Sequence, residues 1–124
     1  MSMIIDGTNG LTFNNATTQA SAGSVLQVVN ATYSNASWTT TTSTSFVSTP
    51  LTATITPKFA TSKILIIASY SLSPAVGNSN YSTIYRNSTN LGNSNGMAQV
   101  GTNSIWTMLG INYLDSPATT SATS

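Results

Sequence analysis

The chain contains no cysteine, no histidine and no glutamate, and of its 124 residues only Asp6, Lys58, Lys63, Arg86 and Asp115 are charged. Each absence closes off a class of chemistry. Without cysteine there is no disulfide framework and no thiolate nucleophile. Without histidine a Ser-His-Asp arrangement cannot be built, and metal sites lose their commonest nitrogen ligand. Two carboxylates are too few to supply an acid–base pair once their turn-forming roles are counted. Asp6 stands in Asp-Gly-Thr-Asn-Gly and Asp115 in Leu-Asp-Ser-Pro, both turn or strand-exit patterns. The Asp6 stretch also lacks the acidic ligands of a calcium loop. The sequence thus predicts no enzyme, no catalytic residue, no metal and no cofactor. Three basic residues cannot neutralise a run of phosphates, so nucleic acid is not an expected partner.

Long apolar runs are missing too. The longest, Ile64-Leu65-Ile66-Ile67-Ala68, is far short of the roughly 20 residues that cross a bilayer as a helix, so no membrane insertion is expected. The start, Met1-Ser-Met-Ile-Ile-Asp6, has neither the basic region nor the apolar stretch of a secretion signal.

What is present is 40% hydrophobic and 8% aromatic, with a net charge of +1, which is a globular composition and not a disordered one. Only 4% of residues are charged, against about 25% in an average soluble protein. Threonine, serine and asparagine must therefore hydrate the surface, and salt has little to screen. Thr, Val, Ile and Tyr favour strands, and Asn, Gly and Ser favour the turns between them. No stretch reads as a helix. The expected fold is all-β, an antiparallel sandwich or jelly-roll-like domain over residues 24–124, preceded by a short extended stem or attachment segment over residues 1–23. In that first segment Asp6-Gly7 and Asn9-Gly10 are tight-turn dipeptides.

Candidate strands follow at regular intervals. They are Val25–Tyr33, a polar run from Trp38 to Thr49, Leu51–Thr56 with clean alternation between Pro50 and Pro57, and Ser62–Leu72 as a central strand covered on both faces. Tyr81–Arg86 leads into a turn at Asn87-Ser88-Thr89-Asn90. Ile105, Leu109, Ile111 and Tyr113 then alternate along a last strand, with Trp106, Met108 and Leu114 on its other side.

Aromatic rings with a polar handle suit half-wet recognition surfaces. Most of them here are expected in a core or subunit interface. Trp38, Tyr81 and Tyr85 are the candidates for contact with a glycan. The tract Thr39–Ser45 reads as a solvated edge or loop, since no fixed-period repeat stacks it into a flat threonine array. Asn-x-Ser/Thr sequons at Asn15, Asn30, Asn35, Asn80 and Asn87 are what chance gives in a chain this rich in those residues.

One resemblance spans essentially the whole chain. Met3-Ile-Ile-Asp-Gly-Thr-Asn-Gly-Leu-Thr-Phe13 with Thr17-Thr-Gln19, then Val25-Leu-Gln-Val-Val29, Thr44-Ser-Phe-Val47 and Leu51-Thr-Ala-Thr-Ile-Thr-Pro57 come first. Ser62-Lys-Ile-Leu-Ile66, Tyr85-Arg-Asn87 and Leu114-Asp-Ser-Pro-Ala-Thr-Thr-Ser-Ala-Thr123 follow. This order resembles the tail-fibre and virion appendage proteins of marine tailed phages. Each piece is low in complexity, and their order carries the likeness. The resemblance implies a non-enzymatic structural domain on the exterior of a virion, assembled in the host cytoplasm and released by lysis. It further implies a homotrimer, contact with other virion proteins through residues 1–23, and a role in host attachment. A capsid decoration protein and a carbohydrate-binding module for host-surface glycans are the alternative readings. Members of that group continue past the Ala118–Thr123 turn into further strands, so an unpaired edge is expected beside the last strand here.

Overall fold

A computed structural model describes residues 4–6, 10–12, 18–19, 25–34, 39–102 and 105–124, the first three groups by their strands alone. Among the described residues there are strands and no helix, as a composition of β-branched and turn-forming residues dictates. The strands are β1 (Ile4–Asp6), β2 (Gly10–Thr12), β3 (Thr18–Gln19), β4 (Ile64–Leu72), β5 (Asn80–Ser82), β6 (Tyr85–Arg86), β7 (Thr89–Asn90), β8 (Ala98–Val100) and β9 (Thr107–Asp115). All pairings are antiparallel and give small sheets.

The first sheet is a meander in the order β1-β2-β3. Its β1–β2 hairpin ends on the rung Asp6↔Gly10. From Ile55 onward the chain forms concentric pairs. The bridge Ile55↔Thr123 is outermost, then β4–β9, then β5–β8, with the β6–β7 hairpin at the tip. The tip reverses through Asn87 at φ 52°, a left-handed conformation that asparagine tolerates better than most residues. Backbone bonds from Leu91 N–H to Ile84 C=O (2.9 Å) and Met97 N–H to Ser82 C=O (2.7 Å) continue the nesting between ladders. Gly96 sits at φ 78°, and a Cβ there would stand 2.5 Å from the Ser82 carbonyl oxygen. Only glycine fits that turn.

The ladder β4–β9 runs for nine rungs, from Ile64↔Asp115 to Leu72↔Thr107. Along β4, Ile64, Ile66, Ala68, Tyr70 and Leu72 turn to the half-buried face, while Leu65 and Ile67 stand 63% and 71% exposed. The expected central strand covered on both faces is therefore one arm of a two-stranded ribbon with one face open. Its continuous apolar run splits by the pleat into an inner and an outer set. On β9, Leu109, Ile111 and Tyr113 point inward and Met108 and Leu114 outward, as the alternation predicts. Ile105 and Trp106 precede the strand and are exposed.

Three other expected strands are not strands, and the run from Trp38 to Thr49 has no ladder over its described residues 39–49. The expected strand Val25–Tyr33 is described without a ladder, and within it Val25–Thr32 makes no hydrogen bond among the described residues and is exposed apart from half-buried Ala31. Leu51–Thr56 is paired only at Ile55. Strand propensity reports how well a side chain suits a pleated, half-covered surface, and a segment without a neighbouring strand cannot express it. Tyr81–Arg86 divides into β5 and β6 at Thr83-Ile84.

The interior is small. Among the described residues the buried apolar side chains are Val100, Ile111, Pro57 and the fully enclosed Pro74, whereas seventeen large hydrophobic side chains are exposed.

Candidate functional site

The sequence nominates three aromatic residues. Trp38 lies outside the described residues. Tyr81 is on β5, opposite Gln99, whose Nε2 donates to its hydroxyl at 3.2 Å, and the ring is 46% exposed. Tyr85 is on β6, 45% exposed, with Phe46 meeting it edge-on at a centroid distance of 6.4 Å and an interplanar angle of 71°. The two tyrosines occupy successive short ladders, each braced from one side and wet on the other. Phe46 also packs against Gly96, so it anchors the polar 39–49 run onto the hairpin tip.

A second feature went unnoticed in the sequence. A cleft of about 520 Å³ lies between the 91–97 loop and four consecutive residues of β9, Gly110–Tyr113. Successive side chains of a strand point to opposite faces, so a wall made of consecutive residues is the strand's backbone edge. The loop opposite is held by Asn90, whose Oδ1 accepts from Thr83 Oγ1 (2.6 Å) and from Gly92 N–H (2.9 Å). The Asn93 Oδ1 accepts from Asn95 N–H at 2.7 Å, an Asx turn. The walls carry amides, a phenol and apolar groups and no charged side chain.

The third feature is electrostatic. Arg86 Nη1 donates to both carboxylate oxygens of Asp115, at 2.6 and 2.8 Å, tying the tip of the hairpin to the end of β9. The Asp115 side chain is 6% exposed and that of Arg86 26%. The expectation of a turn former at Asp115 is right about its place at the strand's exit and silent about its partner. Nearby, Asn87 N–H bonds to the Ser124 carbonyl, and Ser124 N–H donates back to Asn87 Oδ1 at 3.0 Å. The two lysines stay outside this network. Lys58 stands over the Phe59 ring at 5.6 Å, and Lys63 Nζ donates to Ser116 Oγ at 3.3 Å.

Chemically, the half-exposed tyrosines and the amide-lined cleft offer stacking faces and neutral hydrogen bonds. Comparison with known protein families, curated proteins and solved structures finds no match to this chain.

Proposed function

We propose that this protein is a non-enzymatic building block of the exterior of a virus particle, a domain of a tail fibre or surface appendage. One observation carries the reading. Five charges are spread over a strand scaffold that leaves Leu65, Ile67, Met108, Leu114 and other large apolar side chains exposed around a very small interior. Such a surface is poorly protected by charge as a free monomer and well suited to burial between copies. The resemblance of the motif order to phage appendage proteins points the same way. In this reading the chain forms a closed homotrimer, residues 1–23 join it to other virion proteins, and the small sheets complete a sandwich or jelly roll only in the assembly. Closed symmetry also hides the open strand edges.

The half-wet faces of Tyr81 and Tyr85 favour a second role within the first, contact with a host-surface glycan. Mass spectrometry of gradient-purified particles, followed by immunogold microscopy with antibody to the chain, tests the assignment. Label on fibres or appendages is the expected result, and label on the shell alone identifies a capsid decoration protein. Absence of the chain from purified particles refutes the virion reading.

A further inference from the structure

We infer that the open edge of β9 is the acceptor for a strand donated by a second copy of this chain, and that the donated strand is Val25–Thr32. The acceptor is defined by the ladder and the cleft together. Among the described residues β9 pairs with β4 alone, so its other edge presents backbone N–H and C=O groups with no described backbone partner along the strand. The cleft follows that edge over Gly110–Tyr113, with the 91–97 loop as its opposite wall. An exposed edge is ordinarily guarded by lysine, proline or a bulge. Here β9 contains neither lysine nor proline and its register with β4 is unbroken.

The donor has the complementary properties. Val25–Thr32 makes no hydrogen bond, and Val25 and Val28 are each 82% exposed. At about 3.3 Å per residue its eight residues span roughly 26 Å, close to the length of β9. Neither surface carries a charge, because none of the five charged side chains lies in 25–32 or lines the cleft. A charged peptide would find no counter-ion there, whereas a neutral β-branched strand loses nothing on desolvation that the ladder does not return. Among the described residues the donor and the open edge of β9 both lack a ladder partner, and a second copy completes both at once. Donor and acceptor are different surfaces, so two copies exchange strands reciprocally or several link head-to-tail, in a ring where the rotation closes. The inference concerns self-assembly alone and holds whether or not the assembly sits on a virus particle.

The chain's lack of cysteine makes the test clean. Single cysteines are placed in turn at Val25, Leu26, Gln27, Val28, Val29 and Asn30 in one full-length version, and Asn112→Cys in a second version of different mass. All these positions are exposed, so the substitutions leave the nested ladders untouched. The two versions are refolded together and oxidised, and the products are separated without reductant. The expected result is a mixed disulfide between the two versions whose yield alternates with a period of two residues along 25–30, the signature of a strand beside β9. A yield without alternation, or no mixed disulfide, overturns the inference. So does a double variant, Val28→Cys with Asn112→Cys, that cross-links only within its own chain. Light scattering of the unmodified protein provides a second reading. A multiple of 12.9 kDa at micromolar concentration is expected, and a stable monomer refutes the donation.

Discussion

Replacing Arg86 by methionine is the sharpest probe of how this nearly uncharged protein uses its few charges. The substitution preserves most of the side chain's length and removes the only cation that touches Asp115 among the described residues. The carboxylate, 6% exposed, then has neither its counter-ion nor enough water. Stranding one member of a buried pair costs about 3–5 kcal/mol. A quarter of the Arg86 side chain is wet, which admits some solvent and brings the expectation to about 2–3 kcal/mol. At roughly 4 °C per kcal/mol for a chain of this size, the melting temperature falls by about 10 °C. The mirror substitution, Asp115→Asn, is milder. Arg86 can turn to solvent, and the amide oxygen still accepts a hydrogen bond, so about 1 kcal/mol is lost. The double variant Arg86→Met with Asp115→Leu removes both charges and restores most of the stability. Guanidinium titrations and thermal melts read by intrinsic fluorescence measure all three, at one fixed chain concentration so that assembly does not contribute differently. If Asp115→Asn costs as much as Arg86→Met, or if both are silent, the pair does not hold the hairpin tip to β9 and the reasoning fails.

Further outcomes follow from the turns, the charge and the rings. Gly96→Ala combines a positive φ with a 2.5 Å approach to the Ser82 carbonyl and should cost more than about 2 kcal/mol. Gly77→Ala shares the positive φ but has open space around it, so denaturant titration should show about 1 kcal/mol; equal losses would mean that the Ser82 contact is unimportant. Raising sodium chloride from 0.05 to 0.5 M should leave the assembled mass in light scattering unchanged, because almost no exposed charge is available to screen. Tyr81→Ala with Tyr85→Ala should abolish signal on a glycan array while the circular dichroism spectrum is retained, and undiminished binding would exclude those rings as the contact.

Part of this architecture is legible in the sequence for a simple reason. Period-two alternation along 107–115 reports a strand with one covered face, and β9 has one. The same rule fails for 62–72, where five consecutive apolar residues suggest two covered faces, because no described residue of the chain covers Leu65 and Ile67. It fails again at 25–32, whose side chains announce a strand while no ladder forms there among the described residues. Alternation encodes what a segment prefers to lie against, and it is blind to whether the neighbour belongs to the same molecule. The Arg86–Asp115 pair has a fainter signal: two of the five charges, of opposite sign, fall at the ends of strand-like segments, while both lysines flank a turn. The cleft beside β9 has no signal at all, since backbone edges carry no side-chain code. Of the three nominated rings, Tyr81 and Tyr85 keep a wet face, and Trp38 is outside the described residues.

The concentric pairing sets the order in which the chain can close. A two-residue reversal at Asn87-Ser88 joins neighbours that are already close, so its entropic cost is the smallest. Once that tip exists, each wider ladder closes only the slack left by the one inside it, and the nine-rung ribbon need never search across the full stretch between Leu72 and Thr107. Closure therefore spreads outward like a zip drawn from its tip, with Ile55 and Thr123 the last teeth to meet. Upstream of Ile55 the β1–β3 meander closes through its own short connections and Phe46 can dock once the tip exists, so neither has to wait for those last teeth.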